Sequence, residues 1–183
     1  MSVLLSPTAW PSDATSPQWP DCTCTGAHYR FAVPSNTVPS RETKPDVTHL
    51  CAAALRAREH AYAPYSRFRV GAALLCDDGT VVPGCNVENS SYGLCLCAER
   101  SAVAGAIAGG RRQFVAIAIA TASSPPSPPC GMCRQVLAEF APDLRVVMTN
   151  PGGELVETTA RTLLPGGFDT ELLQSGQDPK SES

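Results

Sequence analysis

Three cysteines and one glutamate have the residue types and the spacing of a zinc site that performs chemistry. Cys97 begins the segment Cys-Ala-Glu-Arg, and Cys130 and Cys133 lie in the segment Pro-Cys-Gly-Met-Cys-Arg-Gln. Catalytic zinc usually has three protein ligands and keeps a fourth position for water. The sequence therefore predicts an open Zn2+ site whose ligands are Cys97, Cys130 and Cys133. Glu99 is the predicted catalytic residue, because it could carry protons beside the metal without binding it.

The surroundings of these sulfurs should favour the thiolate form. Helices are predicted to begin at Cys97 and at Cys130, and the positive end of a helix dipole stabilises a thiolate. Three thiolates around a dication still leave a negative site. Arg100 and Arg134 each follow a motif residue, and both are predicted to donate hydrogen bonds to the sulfurs.

Other metal arrangements remain open from the residues alone. The cysteines could be buried thiols, or a structural zinc knuckle could use Cys95 or Cys85 as a fourth ligand. Cys22 and Cys24 could bind a metal in the N-terminal region, although no second pair accompanies them. The histidines are not expected to be ligands, because none of them occupies a motif position: His28, His49 and His60.

Composition excludes several classes of partner. The chain has 183 residues, 43% hydrophobic and 17% charged, which suits one soluble domain. Lys and Arg total 14 against 17 for Asp and Glu, without a basic cluster, so we expect a small, weakly charged substrate and neither nucleic acid nor an acidic membrane as partner. No apolar run reaches the roughly 18 residues of a membrane span. The nine cysteines, an odd number without a secretory signal pattern, favour a reducing compartment and a cytoplasmic protein.

The chain divides by pattern into three parts. Residues 1–45 are rich in Pro, Ser and Thr, which predicts a flexible extension. Residues 46–175 should form the catalytic domain, and residues 176–183 a polar tail. The domain is predicted to begin with a helix capped by Asp46, followed by a β-hairpin that starts near Phe68. Five further elements follow: a helix from Cys97 to residues 109–110, a strand at 114–120, a helix at 130–140, and strands at 144–149 and 155–158.

Three segments resemble motifs of the homotetrameric cytidine deaminases, in the order of that family. Residues 84–100 (Gly-Cys-Asn-Val-Glu-Asn-Ser-Ser-Tyr-Gly-Leu-Cys-Leu-Cys-Ala-Glu-Arg) resemble the family signature, and residues 65–74 and 129–135 resemble two further motifs. Residues 163–168 resemble the C-terminal segment less closely. The resemblance spans roughly residues 46–173, and zinc deaminases use a thiolate-rich zinc site with a glutamate that is not a ligand.

The resemblance implies a fold, an activity and an assembly. The fold class would be α/β, a three-layer α/β/α sandwich with a five-stranded mixed sheet, in agreement with the predicted order of elements. The activity would be zinc-dependent hydrolytic deamination of cytidine and deoxycytidine to uridine and deoxyuridine in pyrimidine salvage, by a homotetramer. In that reaction water activated by zinc attacks C4, while Glu99 protonates N3 and then the departing amine.

The resemblance also implies substrate-binding residues. Asn86 and Glu88 match residues that hydrogen-bond the ribose 3′-hydroxyl, and residues two apart share one face of a strand. Their side chains suit this role, because an amide both donates and accepts and a carboxylate accepts. Phe68 matches an aromatic wall of the pocket, Ala98 a further substrate contact, and Phe168 a ring that packs on a base bound in a neighbouring subunit.

Three other functions remain open. A deaminase of a cytosine-containing antibiotic such as blasticidin S shares the zinc motifs and fold, although Asn86 and Glu88 favour a nucleoside. A catalytically idle zinc-binding interaction module would have a fourth thiolate in place of water. RNA or DNA editing is disfavoured, because the sequence carries no signature of a basic groove.

Three features depart from the family pattern and affect the loop beside the zinc or the contact made by Phe168. They are the long N-terminal extension, the proline-rich segment 123–129, and Asp169-Thr170 where the family usually has Gly-Pro.

Overall fold

Residues 46–176 are described by the computed structural model, and they form a five-stranded sheet covered by helices. The predictions for residues 1–45, including Cys22, Cys24 and His28, and for the tail beyond residue 176 lie outside the described residues. In chain order the elements are α1 (Val47–Glu59), β1 (Gly71–Cys76), β2 (Val81–Cys85), a short 3-10 helix (Tyr92–Leu94), α2 (Ala98–Ala108), β3 (Phe114–Ala120), α3 (Gly131–Phe140), β4 (Arg145–Thr149), β5 (Leu155–Thr159), α4 (Ala160–Leu163) and α5 (Thr170–Ser175). None of these helices combines the length and the apolar character that crossing a membrane requires.

The sheet is mixed, as predicted. Its strand order is β2-β1-β3-β4-β5, and β3 and β4 are parallel while the other neighbours are antiparallel. Parallel neighbours need a crossover connection, and α3 supplies it. The carboxyl ends of β3 and β4 therefore lie side by side, where the Thr121 N–H donates to the Thr149 carbonyl at 3.1 Å.

Helices cover both faces of the central strands, which gives the three layers. On one face α1 packs Leu50 and Ala54 against Ala73, Ala118 and Val147. On the other face, residues of α2 and α3 pack against alternate residues of the same strands; the cluster includes Ala102, Val103, Leu137, Leu74, Ile117 and Ile119. Because successive strand residues point to opposite faces, the continuous apolar run of β3 serves both layers. The α/β/α sandwich expected from the sequence is confirmed.

The element boundaries differ from the predicted ones mainly around the first hairpin. Asp46 caps α1 as predicted, accepting a hydrogen bond from the Thr48 N–H at 2.9 Å. The hairpin is present, but β1 begins at Gly71, and Phe68 lies in the preceding loop. The reason is that Arg67 adopts a left-handed backbone conformation (φ 58°), which interrupts an extended strand.

The C-terminal segment holds two short helices that were not predicted. Asp169 caps α5 by accepting a hydrogen bond from the Leu172 N–H at 2.9 Å. The departure from the family pattern at Asp169 therefore introduces a helix start.

Gly84 allows α2 to approach β2 closely. A Cβ atom at this position would lie 2.4 Å from the Ala98 carbonyl oxygen and 2.5 Å from the Ala102 nitrogen, both in the backbone of α2. Because the two contacting atoms are backbone, they cannot move aside as a flexible side chain would. The close contact sets the position of the first turn of α2.

Replacing Gly84 by alanine should therefore lower the free energy of unfolding by about 1–3 kcal/mol or more, the usual cost of overpacking. Urea unfolding measures this change. Gly93→Ala is the matched control, since a Cβ there would have no atom within 4 Å. Equal stability of the two variants would contradict the proposed role of Gly84.

Candidate active site

Three sulfur atoms meet where helices α2 and α3 begin. Cys97 is the N-cap of α2, Cys130 is the N-cap of α3, and Cys133 lies in the first turn of α3. The Cys130 sulfur lies 3.7 Å from that of Cys97 and 3.5 Å from that of Cys133, and all three lie within 4.8 Å of one another. Zn–S bonds of about 2.3 Å in a tetrahedron separate their sulfurs by about 3.8 Å. The spacing and the donor chemistry therefore fit zinc.

The charge of the sulfur cluster is balanced by its surroundings. The N–H groups at the start of two helices give these positions a positive potential. Arg100 donates from Nη2 to the Cys97 sulfur at 3.5 Å and to the Cys95 carbonyl at 3.0 Å. The nearby Cys133 thiol and the Arg100 guanidinium lower the pKa of Cys97 to about 5, and the proximity of the Cys97 sulfur together with burial raises the pKa of Cys133. These contacts favour the thiolate form of Cys97, which is the form that binds a metal.

Glu99 is a buried acid beside this cluster. It lies in the first turn of α2, and only 4% of the residue is exposed. Burial raises the pKa of its carboxyl group, and the neighbouring Cys97 thiolate raises it further. A carboxyl group whose pKa is raised holds its proton more readily than an exposed one and can still release it to a stronger base. Glu99 is therefore suited to proton transfer rather than to surface solvation.

A cavity of about 350 Å³ adjoins the cluster and brings most of the predicted site residues together. The predicted site residues in its wall are Phe68, Asn86, Glu88, Cys97, Glu99 and Cys130. Val70, Val87, Leu96, Ile119 and Pro128 supply apolar surface. None of the described residues in this wall is Lys, Arg or His, so the charge they contribute is acidic.

Asn86 and Glu88 are already engaged with the loop that carries Phe68. Asn86 accepts from the Val70 N–H and donates to the Phe68 carbonyl, both at 2.8 Å. Glu88 accepts from the N–H groups of Tyr65 at 2.9 Å and Ser66 at 3.2 Å, and from the Ser66 hydroxyl. These two side chains therefore hold one wall of the cavity in place.

The other predicted substrate contacts have different positions. Ala98 is fully buried at the first position of α2 and does not line this cavity, so its predicted substrate contact stays a prediction. Phe168 is 59% exposed and lies in the wall of a separate cavity with Glu139 and Arg161. The structure does not bring Phe168 to the sulfur cluster, and its predicted contact with a neighbouring subunit stays a prediction.

The hydrogen bonds of Arg134 go elsewhere than the sequence predicted. Its Nε donates to the Pro129 carbonyl at 2.8 Å, and its Nη1 donates to the Leu163 carbonyl at 3.0 Å. Neither bond reaches a sulfur, because the side chain crosses from α3 to the C-terminal segment. Arg134 thus fixes the residue before Cys130 instead of the sulfur itself.

Sequence reasoning missed a hydroxyl network in the proline-rich segment. The hydroxyl of Ser123 lies 2.9 Å from that of Thr121 and 2.7 Å from that of Ser127, and the Thr121 hydroxyl accepts from the Ser127 N–H at 3.0 Å. Asn150 closes the network by donating to the Ser123 carbonyl at 3.0 Å. Thr121 and Ser127 both line the cavity. The available signal was the position of Thr121 directly after a buried strand.

The sulfur atoms of Cys95 and Cys85, the alternative fourth ligands, contact backbone groups. The Cys95 sulfur accepts from the Asn89 N–H at 3.3 Å and lies 3.7 Å from the Asn89 carbonyl. The Cys85 sulfur lies 3.6 Å from the His60 carbonyl. Within residues 46–176, the group of metal-binding side chains is confined to the three cysteines named above. The geometry is that of a catalytic zinc centre with three protein ligands, a buried acid and an adjoining cavity.

Comparisons with known proteins agree with this class. The family model described as the cytidine and deoxycytidylate deaminase zinc-binding region matches residues 45–149. A cytidine deaminase of Halalkalibacterium halodurans is 55% identical over 119 residues, which cover 64% of this chain and 90% of that protein. A cytidine deaminase of Sporosarcina psychrophila is 50% identical over 129 residues, 70% of this chain and 95% of that protein.

A comparison with solved structures also finds a cytidine deaminase. The crystal structure of cytidine deaminase from Burkholderia pseudomallei is 54% identical to this chain, with a TM-score of 0.64, and the match covers 66% of this chain and 97% of that one. The chain belongs to the cytidine and deoxycytidylate deaminase family, and its cofactor is zinc.

Replacing Cys97, Cys130 or Cys133 by serine should sharply reduce the zinc that the protein retains, because a hydroxyl is a far weaker zinc ligand than a thiolate. Metal analysis after dialysis measures the change. Cys95→Ser and Cys85→Ser are the controls and should retain the wild-type amount. Full zinc content in the first three variants, or its loss in the Cys95 variant, would contradict the assignment of ligands.

Proposed function

We propose that this protein hydrolyses the C4 amino group of cytidine and deoxycytidine, giving uridine or deoxyuridine and ammonia. The observation that carries the proposal is the presence of two sets of groups in the wall of one cavity. One set is the buried acid Glu99 with Cys97 and Cys130 of the sulfur cluster, and the other is the pair Asn86 and Glu88. The relatives named above support the same reaction.

Cys97, Cys130 and Cys133 would hold the metal, with Arg100 balancing their charge. A bound zinc ion lowers the pKa of water and so supplies a nucleophile at neutral pH. The protein itself provides orientation and proton transfer around it.

Glu99 moves the protons. Its carboxylate takes a proton from the attacking water and passes it to ring N3, which makes C4 electrophilic. It then takes a second proton, from the new hydroxyl at C4, and passes it to the amino group, which leaves as ammonia. The raised pKa of Glu99 supports this role, since the group must exist in both protonation states during one turnover.

The hydrogen-bonding capacity left on Asn86 and Glu88 suits one sugar hydroxyl. A carboxylate has about four acceptor positions, and three on Glu88 are used by the loop. Asn86 keeps one N–H and one acceptor position after its two bonds. A hydroxyl group needs one acceptor and one donor. This capacity supports turnover of both cytidine and deoxycytidine, which share the 3′-hydroxyl.

The charge of the cavity favours a nucleoside over a nucleotide. Glu88 and Glu99 line it, and its described wall residues include no cation to receive a phosphate. The family as a whole covers both kinds of substrate, so this charge is what distinguishes them here. The same absence of cations argues against a polynucleotide substrate.

The proposal extends to the oligomeric state of the protein and to its cellular compartment. Phe168 is exposed and does not line the active-site cavity, and other large apolar side chains of α3 and α5 are exposed as well: Phe140, Leu172 and Leu173. These features support a homotetramer in which Phe168 reaches a neighbouring site. Thiolate ligands favour a reducing compartment. The proposed role is therefore pyrimidine salvage in the cytoplasm.

Incubation of the zinc-loaded protein with cytidine or deoxycytidine should cause loss of cytosine absorbance and release of ammonia. With cytidine 5′-monophosphate, kcat/KM should be at least about 100-fold lower, because the Glu88 carboxylate repels a phosphate and no cation among the described wall residues offsets the repulsion. Preference for the monophosphate, or for blasticidin S, would contradict the assigned substrate. No turnover of any of them would favour the idle zinc-binding module.

Glu99→Gln should reduce kcat by about 100- to 10,000-fold, the usual contribution of a positioned acid and base, while zinc content is unchanged. Glu139→Gln is the matched control, because Glu139 is exposed on α3 and outside the active-site cavity. Near-normal deamination by the Glu99 variant would refute proton transfer by this residue.

A further inference from the structure

The loop between α1 and β1 carries Phe68 into the cavity wall and depends on outside contacts for its shape. It contains Arg67 at φ 58°, a conformation that a residue other than glycine adopts where its surroundings impose it. Five hydrogen bonds join the loop to the side chains of Asn86 and Glu88. The shape of the loop and the orientation of these two side chains are therefore set together.

The Ser66 hydroxyl connects Glu88 to the backbone of Phe68. It donates to Glu88 Oε1 and accepts from the Phe68 N–H at 3.0 Å. The other two donors to Glu88 are backbone N–H groups, which a side-chain substitution leaves in place. One hydroxyl thus links the carboxylate of Glu88 to the backbone of the aromatic wall.

The Ser66 hydroxyl also determines how many hydrogen-bond acceptor positions of Glu88 remain free for a ligand. It occupies one of the acceptor positions of Oε1, and with the two N–H groups it leaves about one of four positions free. The same hydrogen bond is the main cause that lowers the pKa of Glu88, so it helps to keep the carboxylate ionised.

We propose that Ser66 is a positioning residue for nucleoside binding: its hydroxyl fixes the Glu88 carboxylate against the Phe68 loop and leaves one acceptor position for a single sugar hydroxyl. The inference rests on the proposed function. It adds a residue that sets sugar recognition without itself taking part in proton transfer at the base.

Removing this hydroxyl changes binding more than chemistry. Glu88 gains an empty acceptor position and rotational freedom, and the Phe68 N–H loses its partner. A carboxylate that must be ordered by the substrate binds a sugar hydroxyl less favourably than one that is already ordered. The sulfur cluster and Glu99 are on α2 and α3, and the contacts of Ser66 described above do not include them.

The test is a cycle of two substrates and two proteins. The wild type and Ser66→Ala are each assayed with cytidine and with 3′-deoxycytidine, which lacks the hydroxyl assigned to Glu88. Ser66→Ala should raise KM for cytidine about tenfold and leave kcat within about twofold. The wild type should lose about 10- to 100-fold in kcat/KM when the 3′-hydroxyl is absent, the usual effect of a hydrogen bond to a charged group. This loss should shrink several-fold in Ser66→Ala.

Two variants separate positioning from general damage. Ser66→Thr keeps the hydroxyl and should restore most of the KM and of the 3′-hydroxyl preference. Ser91→Ala removes an exposed hydroxyl near the same loop that makes no cap hydrogen bond, and it should behave as wild type. Melting temperature and zinc content are measured for all variants, and both should stay close to wild type.

The proposal is overturned if Ser66→Ala retains the wild-type penalty for 3′-deoxycytidine, whatever happens to KM, or if Ser66→Thr is as impaired as Ser66→Ala. A large fall in kcat at unchanged KM would overturn it as well. Absence of cytidine turnover by the wild-type protein would overturn the proposed function and this inference with it, so the two failures are distinguishable.

Discussion

The structure depends on the convergence of two helix N-termini at one point. Cys97 and Cys130 are the N-caps of α2 and α3. The two helix starts that leave free N–H groups therefore also bring the two sulfur atoms together. The close contact of α2 with β2 at Gly84 fixes one of these ends, and the hydrogen bond from Arg134 to Pro129 fixes the other. Once both ends are fixed, Glu99 follows in the first turn of α2 as a buried acid.

Much of this arrangement could be predicted from the sequence, because its signals are local. Cysteines at i and i+3 imply one helical turn, and the apolar run of β3 implies a strand covered on both faces. The contacts of Arg134 could not be predicted, because its second acceptor, the Leu163 carbonyl, is 29 residues away in sequence. Nor could the spacing of Asn86 and Glu88 reveal that both side chains are bonded to the loop before β1.

The proline-rich segment illustrates the same limit. Its composition suggests a solvated connection, yet Thr121 is only 2% exposed and its hydroxyl joins a network with Ser123 and Ser127. A serine hydroxyl can bond to water or to other side chains, and the residue type does not show which. Here the hydroxyl network forms because Asn150, just after the neighbouring parallel strand, donates to the Ser123 carbonyl. A segment that departs from the family pattern is thereby a fixed part of the cavity wall.

The placement of ligands at helix starts also has a mechanical meaning. Cys97 and Cys130 are 33 residues apart in sequence, and β3 lies between them. A cation held by both sulfurs would act as a crosslink: it would close this stretch of chain and restrict the conformations open to the unfolded state. The cysteines that bind the metal therefore also stabilise the unit formed by α2, β3 and α3.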